Sequence, residues 1–133
     1  MILLDTHALI WWLAEPKRIP SRATRAIATA VRDGDPIGVS SISVWEIAML
    51  VDRGRLELTM DLDAWLARVE ALPFLRFFAV DNRVAVRSTR LEDFPHRDPA
   101  DRIIVATALA HGATLVTGDA ALQKYDAVRT VWS

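Results

Sequence analysis

Apolar residues recur along this chain with two different periods. Short, nearly continuous apolar runs at MILLD (1–5), IGVS (37–40), LRFFAVD (75–81), ATLVTGD (113–119) and AVRTVWS (127–133) predict strands. Longer stretches between them predict helices. THALIWWLA (6–14) is apolar on every side and stops before Pro16. Pro20-Ser21 opens a second helix over 21–33, closed by the turn signal DGDP. In SISVWEIAMLVDRG (41–54), Val44, Ile47, Ala48 and Val51 fall at i, i+3, i+4 and i+7, and Gly54 supplies the stop. DLDAWLARVEAL (61–72) is amphipathic and ends before Pro73, NRVAVRSTR (82–90) forms a shorter helix, and LEDFPHRDP (91–99) reads as loop. ADRIIVATALAHG (100–112) is helical, and residues 119–124 form a helical turn. Strands alternating with helices predict an α/β domain with a mainly parallel sheet of about five strands.

Four acids break this pattern. Asp5 is the only charged residue in MILLDTHALIWWLA when His7 is neutral, and Glu46 is the only one in IGVSSISVWEIAMLV. Asp101 immediately precedes IIVATALAHGATLVTG, and Asp119 immediately follows it. Desolvating a carboxylate in an apolar run is costly without a partner. The predicted elements bring the four to one edge of the sheet. Asp5 ends the first strand, Asp119 follows the 114–117 strand, and Glu46 and Asp101 lie early in helices that leave strand ends or loops. In open α/β sheets that edge is where ligands bind. Four converging carboxylates need a cation. An oxygen-only donor set suits Mg²⁺ or Mn²⁺, as one ion or two, and disfavours zinc. Such a site supports in-line displacement at phosphorus by activated water.

The bulk numbers agree with a single domain over residues 1–133. No apolar run reaches the roughly 18 residues of a membrane helix. The chain enters its first strand without a basic leader, so no signal peptide and a cytoplasmic location are expected. The chain has no cysteine, which excludes disulfides, a thiol nucleophile and Cys-ligated zinc. Net charge is −1, but with the four acids set aside 13 acidic residues face 16 basic ones, 14 of them Arg. That excess of Arg reads either as a phosphate-binding surface or as the codon usage of a GC-rich genome.

These blocks also carry a family resemblance. LLDTHALIWWL, VSSISVWEIAML and RDPADRIIVATALAHGATLVTGD, in this order and spacing, resemble the conserved blocks of PIN-domain ribonucleases, and within them the VapC-type toxins of toxin–antitoxin pairs. The resemblance implies a PIN-like three-layer sandwich with helices on both faces of the sheet. It implies a divalent metal, cleavage of RNA, a small cognate antitoxin and a homodimer. It places Asp5, Glu46, Asp101 and Asp119 in the acidic positions. Asp98 stands three residues before Asp101 and reads either as a further ligand or as a helix N-cap.

Thr6, Ser41, Ser43 and Thr117 flank the acids and are candidates to orient them. Arg97 and Arg102 flank the acidic pair as candidate contacts to RNA phosphate, with neutralisation of the acids as the alternative for Arg102. Glu46 has the alternative of pairing with an Arg. His7 and His96 are candidate bases, although an isolated His is more often structural or solvated. Of Trp11 and Trp12, one is expected at an interface, whereas Trp45 and Trp65 read as core. Haloacid-dehalogenase-like phosphatases need an acid where His7 stands, and receiver domains need a Lys that residues 128–133 lack. The remaining rivals are a PIN-like binding module without activity and a PIN nuclease of RNA maturation without an antitoxin.

Overall fold

Strands β1 (Ile2–Leu4), β2 (Ile37–Ser40), β3 (Leu75–Phe78), β4 (Thr114–Val116) and β5 (Thr130–Val131) form one sheet in the order β3-β2-β1-β4-β5. Every pair is parallel, with Leu4 opposite Val39 on one side and Val116 on the other. The computed structural model describes all residues, Met1–Ser133. The helices are α1 (Thr6–Ala14), α2 (Ser21–Asp33), α3 (Ser41–Asp52), α4 (Leu62–Glu70), α5 (Asn82–Ser88), α6 (Pro99–Ala110) and α7 (Ala120–Gln123), and a 3₁₀ turn covers Pro16–Arg18. α1, α2 and β2 match the runs predicted from pattern, and the other elements are two to five residues shorter, except α6, which starts one residue early at Pro99 and ends two early at Ala110. Proline at the first helical position loses no needed hydrogen bond.

Successive residues of a strand face opposite sides of a sheet, and β1 shows it. Leu4 joins a core with Leu9, Ile27, Ile37, Val39 and Ile47 on one face, while Leu3 joins Ile104, Val105, Leu115 and Leu122 on the other. Helices therefore cover both faces, giving three layers. The strands pack tightly at Gly38, where a Cβ would lie 2.6 Å from Phe78 Cε2 on β3 and 2.9 Å from Leu3 Cδ1 on β1. No helix is long and apolar enough to cross a membrane.

The tryptophans depart from expectation at one position. Trp65 packs against the first core as expected, and so do Trp11 and Trp12. Trp12 meets Phe74 edge-on at 5.4 Å, and Trp11 lies 5.8 Å from the Trp132 ring. Trp45 is not core: it is 55% exposed. The reason is helical phase. Ser43 and Ile47 face inward on α3, and Trp45, midway between them at 100° per residue, points away.

Strand order reverses at β1. The chain runs outward through β2 and β3, then returns to β4 on the other side of β1. A crevice opens at the carboxyl ends of the strands flanking such a reversal, and the chain places Asp5 and Asp119 there.

Candidate active site

Each acid is held by the local structure that follows it. Asp5 is the N-cap of α1, with Oδ1 accepting from the Ala8 amide at 2.8 Å, while its own amide donates to Val116 O at 3.1 Å. Asp119 caps α7, with Oδ1 accepting from the amides of Ala121 and Leu122 at 2.9 and 3.0 Å. Its amide in turn donates to Thr117 Oγ1 at 3.1 Å. Asp98 caps α6 through the Ala100 amide at 2.9 Å. An Asp at a strand-to-helix junction thus terminates one element and starts the next with one of its two oxygens. Asp101 lies in the first turn of α6, and Glu46 projects from α3 onto the Thr6 hydroxyl.

Asp5, Glu46, Asp98, Asp101 and Asp119 line one cleft of about 400 Å³, together with Thr6, His7, Trp11, Ile104 and Gly118. The wall beside Gly118 is tight, because a Cβ there would meet the Trp132 indole at 3.0 Å. A larger cleft of about 760 Å³ lies elsewhere, between Arg87, Arg90, Glu92, Asp93 and Lys124. There the exposed acids Glu92, Asp93 and Asp126 share the cleft with the cations Arg87, Arg90 and Lys124, so volume alone does not identify the site.

The crowding is visible in the electrostatics. Burial pushes the Asp101 carboxyl up to about 6, and the neighbouring Asp98, Glu46 and Asp119 charges push the same way against His96. Burial also raises Glu46, with Asp98 and Asp5 adding to it and the Thr6 hydrogen bond opposing. Asp5 is raised chiefly by burial, with Asp119 adding, against the Thr117 hydroxyl, the Ala8 amide and His7. Desolvation and like charge both disfavour the ionised form, and a bound cation reverses both. No Arg pairs with Glu46; its partner is Thr6, which also lies 2.9 Å from Ser43 Oγ.

Of the flanking residues, the structure brings Thr6, Ser43 and Thr117 to the acids but not Ser41, whose side chain neither lines the cleft nor bonds to any of them. Arg102 is also elsewhere. Its guanidinium donates to Ser88 O at 3.1 Å and covers the Phe94 ring at 5.1 Å, so it does not neutralise the neighbouring Asp101. Arg97 is exposed and makes no ion pair. His7 lines the cleft but is exposed, 5.7 Å from the Trp11 ring. His96 is the residue that pattern undervalues: Nε2 lies 2.9 Å from Asp119 Oδ2 and 4.0 Å from Asp101 Oδ2. A ring nitrogen of His96 therefore stands among the carboxylate oxygens of Asp101 and Asp119. The sole sequence signal was a second His beside an acidic pair, in a loop whose return to the sheet edge sequence does not show.

The comparisons with known proteins agree with this geometry. The family model for the PIN domain matches residues 2–128. Ribonuclease VapC22 of Mycobacterium tuberculosis (strain ATCC 25618 / H37Rv) is 37% identical over 133 residues, covering 98% of both chains. Among solved structures, VapBC2 from Rickettsia felis, bound to a DNA fragment from its promoter, superposes with a TM-score of 0.73 at 16% identity, covering 100% of both chains. A toxin–antitoxin complex from Klebsiella pneumoniae superposes with a TM-score of 0.62 at 21% identity, covering 96% of this chain and 95% of that one. With the fold, the acidic cleft and near-full-length matches in agreement, the chain belongs to the PIN domain family.

Proposed function

We propose that this protein is a metal-dependent endoribonuclease, acting in the cytoplasm as the toxin of a toxin–antitoxin pair. The observation that carries the reading is the convergence of Asp5, Glu46, Asp101 and Asp119 on one cleft at the reversal of strand order. The full-length relative named a ribonuclease supports the substrate class.

The donors present fit Mg²⁺ or Mn²⁺, as one ion or two: Asp5, Asp101 and Asp119 would hold the metal, with Glu46 and Asp98 beside them. When bound, the ion supplies positive charge to the phosphodiester oxygens and makes water a usable nucleophile. The chain's own residues supply fixed orientation. Amides hold Asp5 and Asp119, and Thr6 holds Glu46, so these carboxylates need little reorganisation. The Thr6 hydroxyl is committed to Glu46 and Ser43, and there is no cysteine, which leaves water as the nucleophile. Trp11 brings an aromatic wall to the cleft, with the Arg18 guanidinium 4.2 Å from its ring centre. Stacking surfaces and cations of this kind suit single-stranded nucleic acid. Arg97, exposed beside Asp98, is a candidate phosphate contact, and the antitoxin and homodimer partners belong to the same reading.

The test is incubation of the purified protein with total RNA, with Mg²⁺ or Mn²⁺ and with chelator, followed by mapping of cut ends. Discrete cuts that chelator abolishes and metal restores are expected. Cutting that survives chelation overturns the mechanism. Growth arrest on expression, relieved by a neighbouring small gene, separates a toxin from a nuclease of RNA maturation.

A further inference from the structure

We propose that His96 Nε2 is a direct nitrogen ligand of the divalent ion, shared with Asp101 and Asp119, and that it biases the centre toward Mn²⁺ over Mg²⁺. This rests on the reading of the cleft as a metal site and specifies which chain atoms form it.

The geometry comes first. One oxygen of Asp101, one of Asp119 and a ring nitrogen of His96 all lie within 4.8 Å of one another. An octahedral ion with bonds of about 2.1 Å sets neighbouring ligand atoms about 3.0 Å apart and opposite ones about 4.2 Å apart. The Nε2–Oδ2 separations of 2.9 Å to Asp119 and 4.0 Å to Asp101 fall at these two spacings. Without the ion, an Nε2–H tautomer donating to Asp119 satisfies the same contact. With it, the neutral ring presents the Nε2 lone pair, the ordinary form of a histidine ligand.

His96 is also held in place. Its ring meets Phe94 edge-on at 6.1 Å, and Phe94 packs against Tyr125 at 5.2 Å and under Arg102. Tyr125 donates to Glu92 O at 2.8 Å, pinning the start of the same loop. The imidazole is only 26% exposed. His7, the other histidine near the acids, has no carboxylate within bonding distance. The consequence is chemical: imidazole suits transition ions, whereas Mg²⁺ prefers oxygen alone. A neutral nitrogen also adds a ligand without adding a fifth negative charge.

The experiment is metal binding by the full chain without RNA. Titration calorimetry with Mn²⁺ and with Mg²⁺ compares wild type, His96→Gln, His7→Ala and Asp101→Asn. Electron spin-echo modulation of the Mn²⁺-loaded proteins reads out a bound ¹⁴N. Wild type and His7→Ala are expected to show nitrogen modulation that His96→Gln lacks. His96→Gln should weaken Mn²⁺ binding on the order of 10-fold and change Mg²⁺ binding less than about threefold. Modulation that persists in His96→Gln, or disappears in His7→Ala, overturns the assignment. So does an equal loss for both ions, which would make His96 only a hydrogen-bond partner of Asp119. If Asp101→Asn binds both ions as wild type does, the metal-site reading fails separately. Circular dichroism confirms that each variant is folded.

Discussion

The Thr6 hydroxyl, in the first turn of α1, hydrogen-bonds the Glu46 carboxylate on α3, 40 residues later in the chain. This contact fixes the one acid of the cleft that is not set beside a helix start. Thr6 is itself buried, and Ser43 beside it is fully buried. Thr6→Val keeps the shape and removes the hydroxyl. It should cost about 1–3 kcal/mol, since Ser43 loses a buried partner, and should raise the Glu46 carboxyl further. Thr6→Ser should recover both stability and RNA cleavage. Thermal unfolding and single-turnover rates of the two variants check this, and equal behaviour of Val and Ser would remove Thr6 from the site.

Asp101 makes stability depend on pH in a definite direction. Its folded carboxyl sits at about 6, above an unfolded value of roughly 4. Between these values the folded state binds more protons than the unfolded state. Stability therefore falls as pH rises through the window from about 4 to 6, and the loss persists at neutral pH. The size is about 1–3 kcal/mol, with the lower end expected because the side chain is 28% exposed. Asp101→Asn should raise the metal-free melting temperature at pH 7 by roughly 4 °C per kcal/mol and flatten this pH dependence. Asp119→Asn is the weaker test, because Asp119 Oδ2 also contacts His96 Nε2 at 2.9 Å. Mg²⁺ should stabilise wild type by mass action more than the Asp101 variant. A lower melting temperature for Asp101→Asn in chelator would mean that Asp101 is a structural partner.

The tryptophans divide by exposure. Trp45→Gln should change stability by less than about 0.5 kcal/mol, because the side chain is mostly in solvent. Trp12→Ala should cost about 3 kcal/mol, because it packs on Phe74 and the core beneath. Urea unfolding of both checks the ranking, and the reverse order would contradict the assigned faces of α1 and α3.

Much of this molecule could be read from its pattern. The strand and helix alternation is local information, and so are the acids at strand ends, where an Asp both stops a strand and caps a helix. The failures are matters of direction and long-range return. Trp45 stands in an apolar run, yet helical phase turns it outward. Arg102 follows Asp101 in sequence, but one residue of helix rotates it by about 100° toward Ser88 O and Phe94. His96 meets Asp119 across 23 residues and an intervening helix, and no periodicity encodes that meeting. Strand and helix ends were overextended because apolar residues such as Ala79 and Val80 continue past the last ladder pairing at Phe78.

If the carboxylates at the strand-order reversal perform the chemistry, Asp5, which follows β1 and caps α1, is the one whose loss is most decisive. Single-turnover cleavage of an RNA carrying a mapped cut site, with saturating Mn²⁺, compares wild type with Asp5→Asn. The amide keeps the oxygen that caps Ala8, so the fold should persist by circular dichroism. The rate should fall at least about 100-fold. A folded Asp5→Asn protein that cuts at the wild-type rate would contradict the account.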